Sequence, residues 1–130
     1  MLLKRENCIF KFSPYKEPVM KVLPNTSVEI ETFDCFSDQI KTMEDTLEKL
    51  DWDRVNPATG PIYVEGAEPG DSLKVVIEKI DIENRAVIAT GKDFGVLGDL
   101  FDSLISKVVS IENDKVVFSE NIKIPIKPMI

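Results

Sequence analysis

The sequence predicts a mainly β protein: an antiparallel, jelly-roll-like β-sandwich with one or two short helices, built as a single domain over residues 1–130. Three observations lead there. Apolar and polar residues alternate with period 2 along much of the chain, the pattern of strands with one buried face. Clusters of Pro, Gly, Asn and Asp punctuate these runs at short intervals. Helical spacing is convincing in only one stretch, whereas short strands with regular turns recur, as in an antiparallel sandwich.

The elements follow in order. CIFKFS (8–13) alternates, and PVMKVL (18–23) resumes after Pro14 and Pro18 break the chain. SVEIETFD (27–34) alternates cleanly, with Val28 and Ile30 on one face. TMEDTLEKLDW (42–52) predicts the helix, with Thr42 as N-cap, Glu44 and Asp45 in the first turn, and Leu47 and Leu50 on one face. PIYVEG (61–66) reads as a short strand. DSLKVVIEKIDIE (71–83) alternates through Leu73, Val75 and Ile77, then through Ile80 and Ile82; the change of phase near Glu78 and Lys79 predicts a bulge or bend. It is expected to form a hairpin with RAVIATG (85–91), turning at Glu83-Asn84. LGDLFDSLIS (97–106) is a second short-helix candidate. VVSIENDKVVFS (108–119) predicts another hairpin, turning at Asn113-Asp114.

Bulk composition narrows the function. A chain of 130 residues fits one domain by length and can bury roughly two thirds of its unfolded surface. Acidic residues outnumber basic ones by 23 to 16, a net charge of −7, which argues against nucleic acid or an anionic membrane surface as the main partner. No apolar run approaches the ~18 residues of a membrane span, and MLLKRENCIFKF lacks the apolar stretch and cleavage site of a signal peptide. Cys8 and Cys35 have no CxxC partner, which predicts a reduced, cytoplasmic pair. There is no histidine. Serine–histidine or cysteine–histidine catalysis therefore needs residues from outside this chain, as does a histidine-rich zinc centre. The apolar ending IKIPIKPMI is the pattern expected of a fragment, or of a segment that docks against another chain.

Two stretches are candidates for chemistry. In ETFDCFSDQI (31–40), Asp34 and Asp38 stand beside Ser37 and Gln39 at the end of a strand. One reading is a carboxylate–amide cluster for a metal ion or a water; the other is an Asx turn that satisfies loose backbone N–H groups. NPATGPIYVEGAEPG (56–70) holds three prolines, with glycines at 60, 66 and 70. Gly60 allows close backbone approach, and Glu65 follows apolar neighbours, which makes it a candidate for a raised pKa and acid–base work. EPGD (68–71) reads as a turn, with Pro69 and Gly70 at its centre. GKDFGVLGD (91–99) is glycine-rich but lacks phosphate-loop spacing. Asp51 and Asp53 flank Trp52 as solvating residues.

DCFSDQI, DWDRVNPATGPIYVEGAEPGDSLKV and the terminal IPIKPM occur in this order, and together they resemble the acetamidase/formamidase family. The resemblance covers essentially the whole chain, but only the N-terminal part of the family's length. Family members continue into a glycine-rich, histidine-containing half. CFSD here replaces a glycine-containing version of the first block seen in many members.

The resemblance implies hydrolysis of short carboxamides to ammonia and carboxylate by a cytoplasmic, metal-assisted homo-oligomer with a β-sandwich N-terminal part. It implies a divalent metal, zinc ahead of calcium, with further ligands from outside this chain. Matched position by position, it implies Asp34 as metal ligand or general base and Glu65 as the second catalytic group. Gln39, Asn56, Thr59 and Gly60 become substrate-binding positions. The implied partners are a short amide and a C-terminal half on the same or another polypeptide. The alternative class is a non-catalytic β-sandwich for ligand binding or assembly, since a fold does not fix a function.

Overall fold

The computed structural model describes residues 1–127 and is mainly β. The chain divides into two compact units. The first comprises Met1–Gln39 with Asp51–Val76; the second comprises Ile40–Leu50 with the chain from Ile77 on.

The first unit is made of three short ladders. β1 (Leu2–Leu3) pairs in parallel with β4 (Glu29–Ile30), and β3 (Met20–Val22) in parallel with β6 (Ile62–Val64). β2 (Cys8–Ile9) pairs antiparallel with β5 (Ala58–Thr59). Parallel pairing here is invisible to alternation, because the period of 2 is the same in both senses. Leu3, Val22 and Phe36 are buried, one from each of two ladders and one from the loop after β4. Lys4 Nζ bonds Glu31 Oε1 at 2.8 Å beside the β1–β4 ladder. This mutual bond raises the Lys4 pKa and lowers that of Glu31. Solvent screens the pair, so it adds little stability.

The second unit carries an antiparallel four-stranded sheet in the order β10-β9-β8-β7, with β7 Arg85–Thr90, β8 Ile105–Glu112, β9 Lys115–Ser119 and β10 Ile122–Pro125. The β8–β9 turn falls at Asn113-Asp114 as the sequence predicts, with φ of 50° and 58°. Two successive left-handed residues match the twist of a two-residue hairpin, and Asn and Asp tolerate that region best after Gly. Gly91 ends β7 where a Cβ would lie 2.5 Å from Leu104 Cα and Ser103 O, so no side chain fits there. Among the described residues, Ile40, Leu47, Leu50 and Val109 are the buried large apolar side chains of this unit, and Arg85 Nη1 donates to Ile40 O at 2.6 Å. Of the C-terminal IPIKPM, Pro128 and Met129 lie outside the described residues.

Two sequence expectations are corrected. The stretch 42–52 is not one helix but two 3-10 turns, Leu47–Lys49 and Trp52–Arg54; 97–106 likewise gives one such turn, Gly98–Leu100. The Asp45 carboxylate explains the first of these. It accepts from Lys41 N (2.9 Å), Thr42 N (2.8 Å) and the Thr42 hydroxyl (3.1 Å), turning the chain back before a helix can start. Those donors, Lys41 N first, hold the Asp45 carboxyl below the usual carboxylate range. The second correction concerns 71–83, which forms no strand and no hairpin with β7. All its residues are exposed, and β7 pairs with β8 instead.

Candidate functional site

The candidate residues fall on three parts of the first unit: the loop after β4, the turn leading into β5, and the end of β6. Asp34 opens the loop. Its Oδ1 accepts from Phe36 N at 2.9 Å and from Asp38 N at 2.8 Å, and its carbonyl accepts from Ser37 N at 3.0 Å. This is the Asx turn that the sequence offered as one of two readings. It holds Ser37 and Asp38 at φ of 55° and 56°, a left-handed pair that non-glycine residues adopt only when their surroundings enforce it.

The surroundings do enforce it. Ser37 is buried and its Oγ donates to Arg54 O at 2.5 Å, while Cys35 O accepts from Asn56 N at 2.7 Å. Gln39 closes a two-bond clasp on Asp51, donating from Nε2 to the carbonyl (3.2 Å) and accepting the N–H at Oε1 (3.0 Å). Asp38 Oδ2 bonds Arg5 Nη1 at 2.9 Å, and the Arg5 guanidinium lies 4.7 Å from the centre of the Phe33 ring. The structure thus brings Asp34, Gln39 and Asn56 onto one cross-linked pair of loops. Arg5 and Phe33 complete this network without having been candidates. An Arg 33 residues from its partner gives no local signal.

Thr59 and Gly60 stand elsewhere. They line an open surface cleft of about 350 Å³ together with Ile9, Phe12, Pro14 and Pro61. Phe12 remains 90% exposed at this cleft. Thr59 Oγ1 donates to Glu31 O at 2.8 Å, and Gly60 N donates to Asn7 O at 2.8 Å. Glu65 is exposed just past β6, with its N–H on Val22 O at 2.8 Å. The apolar enclosure expected around Glu65 is absent: the residue lies in the turn directly after β6 and is exposed.

Cys8 and Cys35 are free thiols. Partial burial, reinforced by the neighbouring Asp34 carboxylate, pushes the Cys35 thiol above its usual range even though the residue as a whole is exposed. A thiol held protonated in this way is not an activated nucleophile.

Among the described residues no three His, Cys, Asp or Glu side chains are grouped to hold a metal ion. Asp34 lies in a loop whose cap already engages one of its carboxylate oxygens. The two roles of Asp34 can be separated. Asp34→Ala is expected to destabilise the fold by about 1–2 kcal/mol through loss of the cap. Asp34→Asn retains an oxygen for the same two N–H groups and should stay within about 0.5 kcal/mol of the wild type. Urea denaturation measures both, and equal losses would show that charge rather than capping holds the loop.

The model of the Acetamidase/Formamidase family matches residues 3–127. The crystal structure of a recombinant predicted acetamidase/formamidase from the thermophile Thermoanaerobacter tengcongensis superposes with a TM-score of 0.94 at 52% identity. The match covers 98% of this chain and 42% of that one. An acetamidase from Bacillus halodurans gives 0.94 at 40% identity, covering 99% of this chain and 44% of that one. At 23% identity, an acetamidase from Yersinia enterocolitica shares the fold with a TM-score of 0.68, over 95% of this chain and 42% of its own. No curated protein matches this chain. The chain spans less than half the length of the solved relatives it matches, and over that span it belongs to the acetamidase/formamidase family.

Proposed function

We propose that this chain is the N-terminal part of an amide hydrolase that converts a short carboxamide of the acetamide or formamide type, with water, into the carboxylate and ammonia. The observation that carries the reading is the pairing of DCFSDQ with RVNPATG. The two segments most specific to the family are cross-linked by Ser37 Oγ–Arg54 O and Asn56 N–Cys35 O. Such fixed loops are where a scaffold presents binding groups.

In this proposal Asp34 takes up a proton from the attacking water, or contributes an oxygen to a metal ion. Glu65 returns a proton to the amide nitrogen, which must leave as ammonia. Asn56, Thr59 and Gly60 position the substrate, and the apolar lining of the cleft suits a methyl group such as that of acetamide. Gln39 acts as a positioning residue, because its side-chain amide already holds the Asp51 backbone. A divalent ion, zinc ahead of calcium, would supply Lewis acidity toward the carbonyl and a more acidic water. Its further ligands would come from outside this chain, which has no histidine.

A cytoplasmic homo-oligomer completed by a C-terminal half is part of the same proposal. Among the described residues, no helix is long and apolar enough to cross a membrane.

The test is ammonia release. The purified 130-residue chain should release none from acetamide or formamide, with or without added zinc. Co-expression with the complementary part of the family chain should bring release above background. Turnover by the chain alone would overturn the divided site. Silence from a verified complex would overturn the amidase reading.

A further inference from the structure

Met43 stands in the turn that the Asp45 carboxylate closes on Lys41 N and Thr42 N. It exposes 64% of its surface, yet its sulfur is engaged: Sδ accepts the N–H of Val108 in β8 at 3.4 Å. Both residues belong to the second unit.

The register of β8 explains why that N–H turns to a thioether. Ile111 N donates to Asn84 O, on the β7 side. Backbone groups alternate sides along an antiparallel strand. The N–H of Val108, three residues back, therefore points the other way, to the side on which β9 pairs. β9 meets β8 only over Ser110–Glu112. Beyond it the turn 41–45 takes the place of a strand. Met43 Sδ holds Val108 N, and Asp45 O accepts from Ser106 Oγ at 3.5 Å. Both bonds are weak, since a thioether is a poor acceptor and 3.5 Å is long for a hydroxyl donor.

We propose that Met43 is a sulfoxidation site, with hydroperoxides as the oxidant, and that its oxidation frees the turn 41–45 from β8. One lone pair of the sulfur faces the Val108 N–H, and the exposure of the residue leaves the other for the peroxide. That lone pair attacks the outer peroxide oxygen. The S–O bond forms as the O–O bond breaks, and the proton on the transferred oxygen passes to the departing one. Sulfur is oxidised, and the hydroperoxide is reduced to an alcohol, or to water where the oxidant is hydrogen peroxide. The sulfoxide is polar and its oxygen turns to solvent, while its electron-poor sulfur no longer accepts a hydrogen bond. Val108 N–H is then left without its acceptor. None of this chemistry depends on amide hydrolysis.

The test treats the 130-residue chain with hydrogen peroxide. Peptide mass spectrometry locates the added oxygen, and amide hydrogen exchange is read by NMR at Val108 and Ile111. Met43 should oxidise alongside Met1, which is 66% exposed and lies in the first unit. The Val108 amide should then exchange at least about tenfold faster, while Ile111, bonded to Asn84 on the opposite side, keeps its protection. Met43→Leu keeps the volume and removes the acceptor. In that variant Val108 should exchange at the oxidised rate without peroxide and should not respond to it.

Oxidation of Met1 with Met43 untouched would overturn the proposal. So would an oxidised Met43 with unchanged exchange at Val108, or a Met43→Leu chain whose Val108 amide still speeds up in peroxide. Loss of Ile111 protection together with that of Val108 would show unfolding of the sheet in place of release of the turn, and would overturn it as well.

Discussion

Replacing Leu47 with alanine is expected to destabilise the second unit by about 3 kcal/mol, within the range of 2–5 kcal/mol for deleting most of a fully buried leucine. Leu47 is 1% exposed and is, with Ile40, one of the two largest fully enclosed side chains. It sits in a 3-10 turn of only three residues, whose single backbone bonds cannot hold position by themselves. The side chain therefore anchors the turn as well as filling space, and little slack exists for the site to collapse around the hole. For a chain of 130 residues, between the small and large domains for which this scale is known, each kcal/mol corresponds to roughly 4 °C in Tm, so thermal melting should fall by about 12 °C. Val96→Ala, at a side chain exposed at 103%, is the matched control and should change stability by less than about 0.5 kcal/mol. Equal melting of the two variants would show that Leu47 is not a core residue.

Where an element's cause lay within a few residues, the sequence showed it. Asn113-Asp114 is a hairpin turn because those two residue types tolerate left-handed backbone, and both are found there. The loop at Asp34 was legible as one of two readings for the same reason: an aspartate followed by loose N–H groups caps them. The helix expected over 42–52 was not legible, because the winning competitor was a side chain. Asp45 looks like a good first-turn residue until its carboxylate turns back onto Lys41 and Thr42. The segment 71–83 failed for the opposite reason. Its alternation is strong, but alternation records only that a segment suits a ladder, and the ladder needs a second strand.

Among the candidate site residues, contacts across long sequence separations decided the outcome. Asn7 O receives the Gly60 N–H and Asp51 receives the Gln39 side chain. No local pattern reports either contact.

Ser37→Val should be the most damaging single change in the first unit, with a loss of roughly 3–4 kcal/mol. Two effects add. The hydroxyl is removed from a buried position, leaving Arg54 O without the donor it now has, and an orphaned buried acceptor costs about 1–3 kcal/mol. A β-branched residue must also adopt φ of 55°, where Cβ crowding costs roughly 1–2 kcal/mol and branching makes it worse. The series around this change separates the two effects. Ser37→Ala keeps the backbone demand and loses only the bond, so it should fall between valine and wild type. Ser37→Gly loses the bond but relieves the left-handed strain, and should be milder than alanine. Denaturant melts that rank Gly, Ala and Val in order of increasing damage would support both terms; valine no worse than alanine would remove the backbone term.

The same bond couples this loop to the Arg54–Asn56 turn, whose other tie is Asn56 N to Cys35 O at 2.7 Å. Loss of Ser37 should therefore loosen both family-specific segments together. In hydrogen exchange, Asn56 N–H should lose protection in Ser37→Val while amides of the β7–β8 ladder keep theirs. Uniform loss across both units would show that the loop is held by the global fold and not by Ser37.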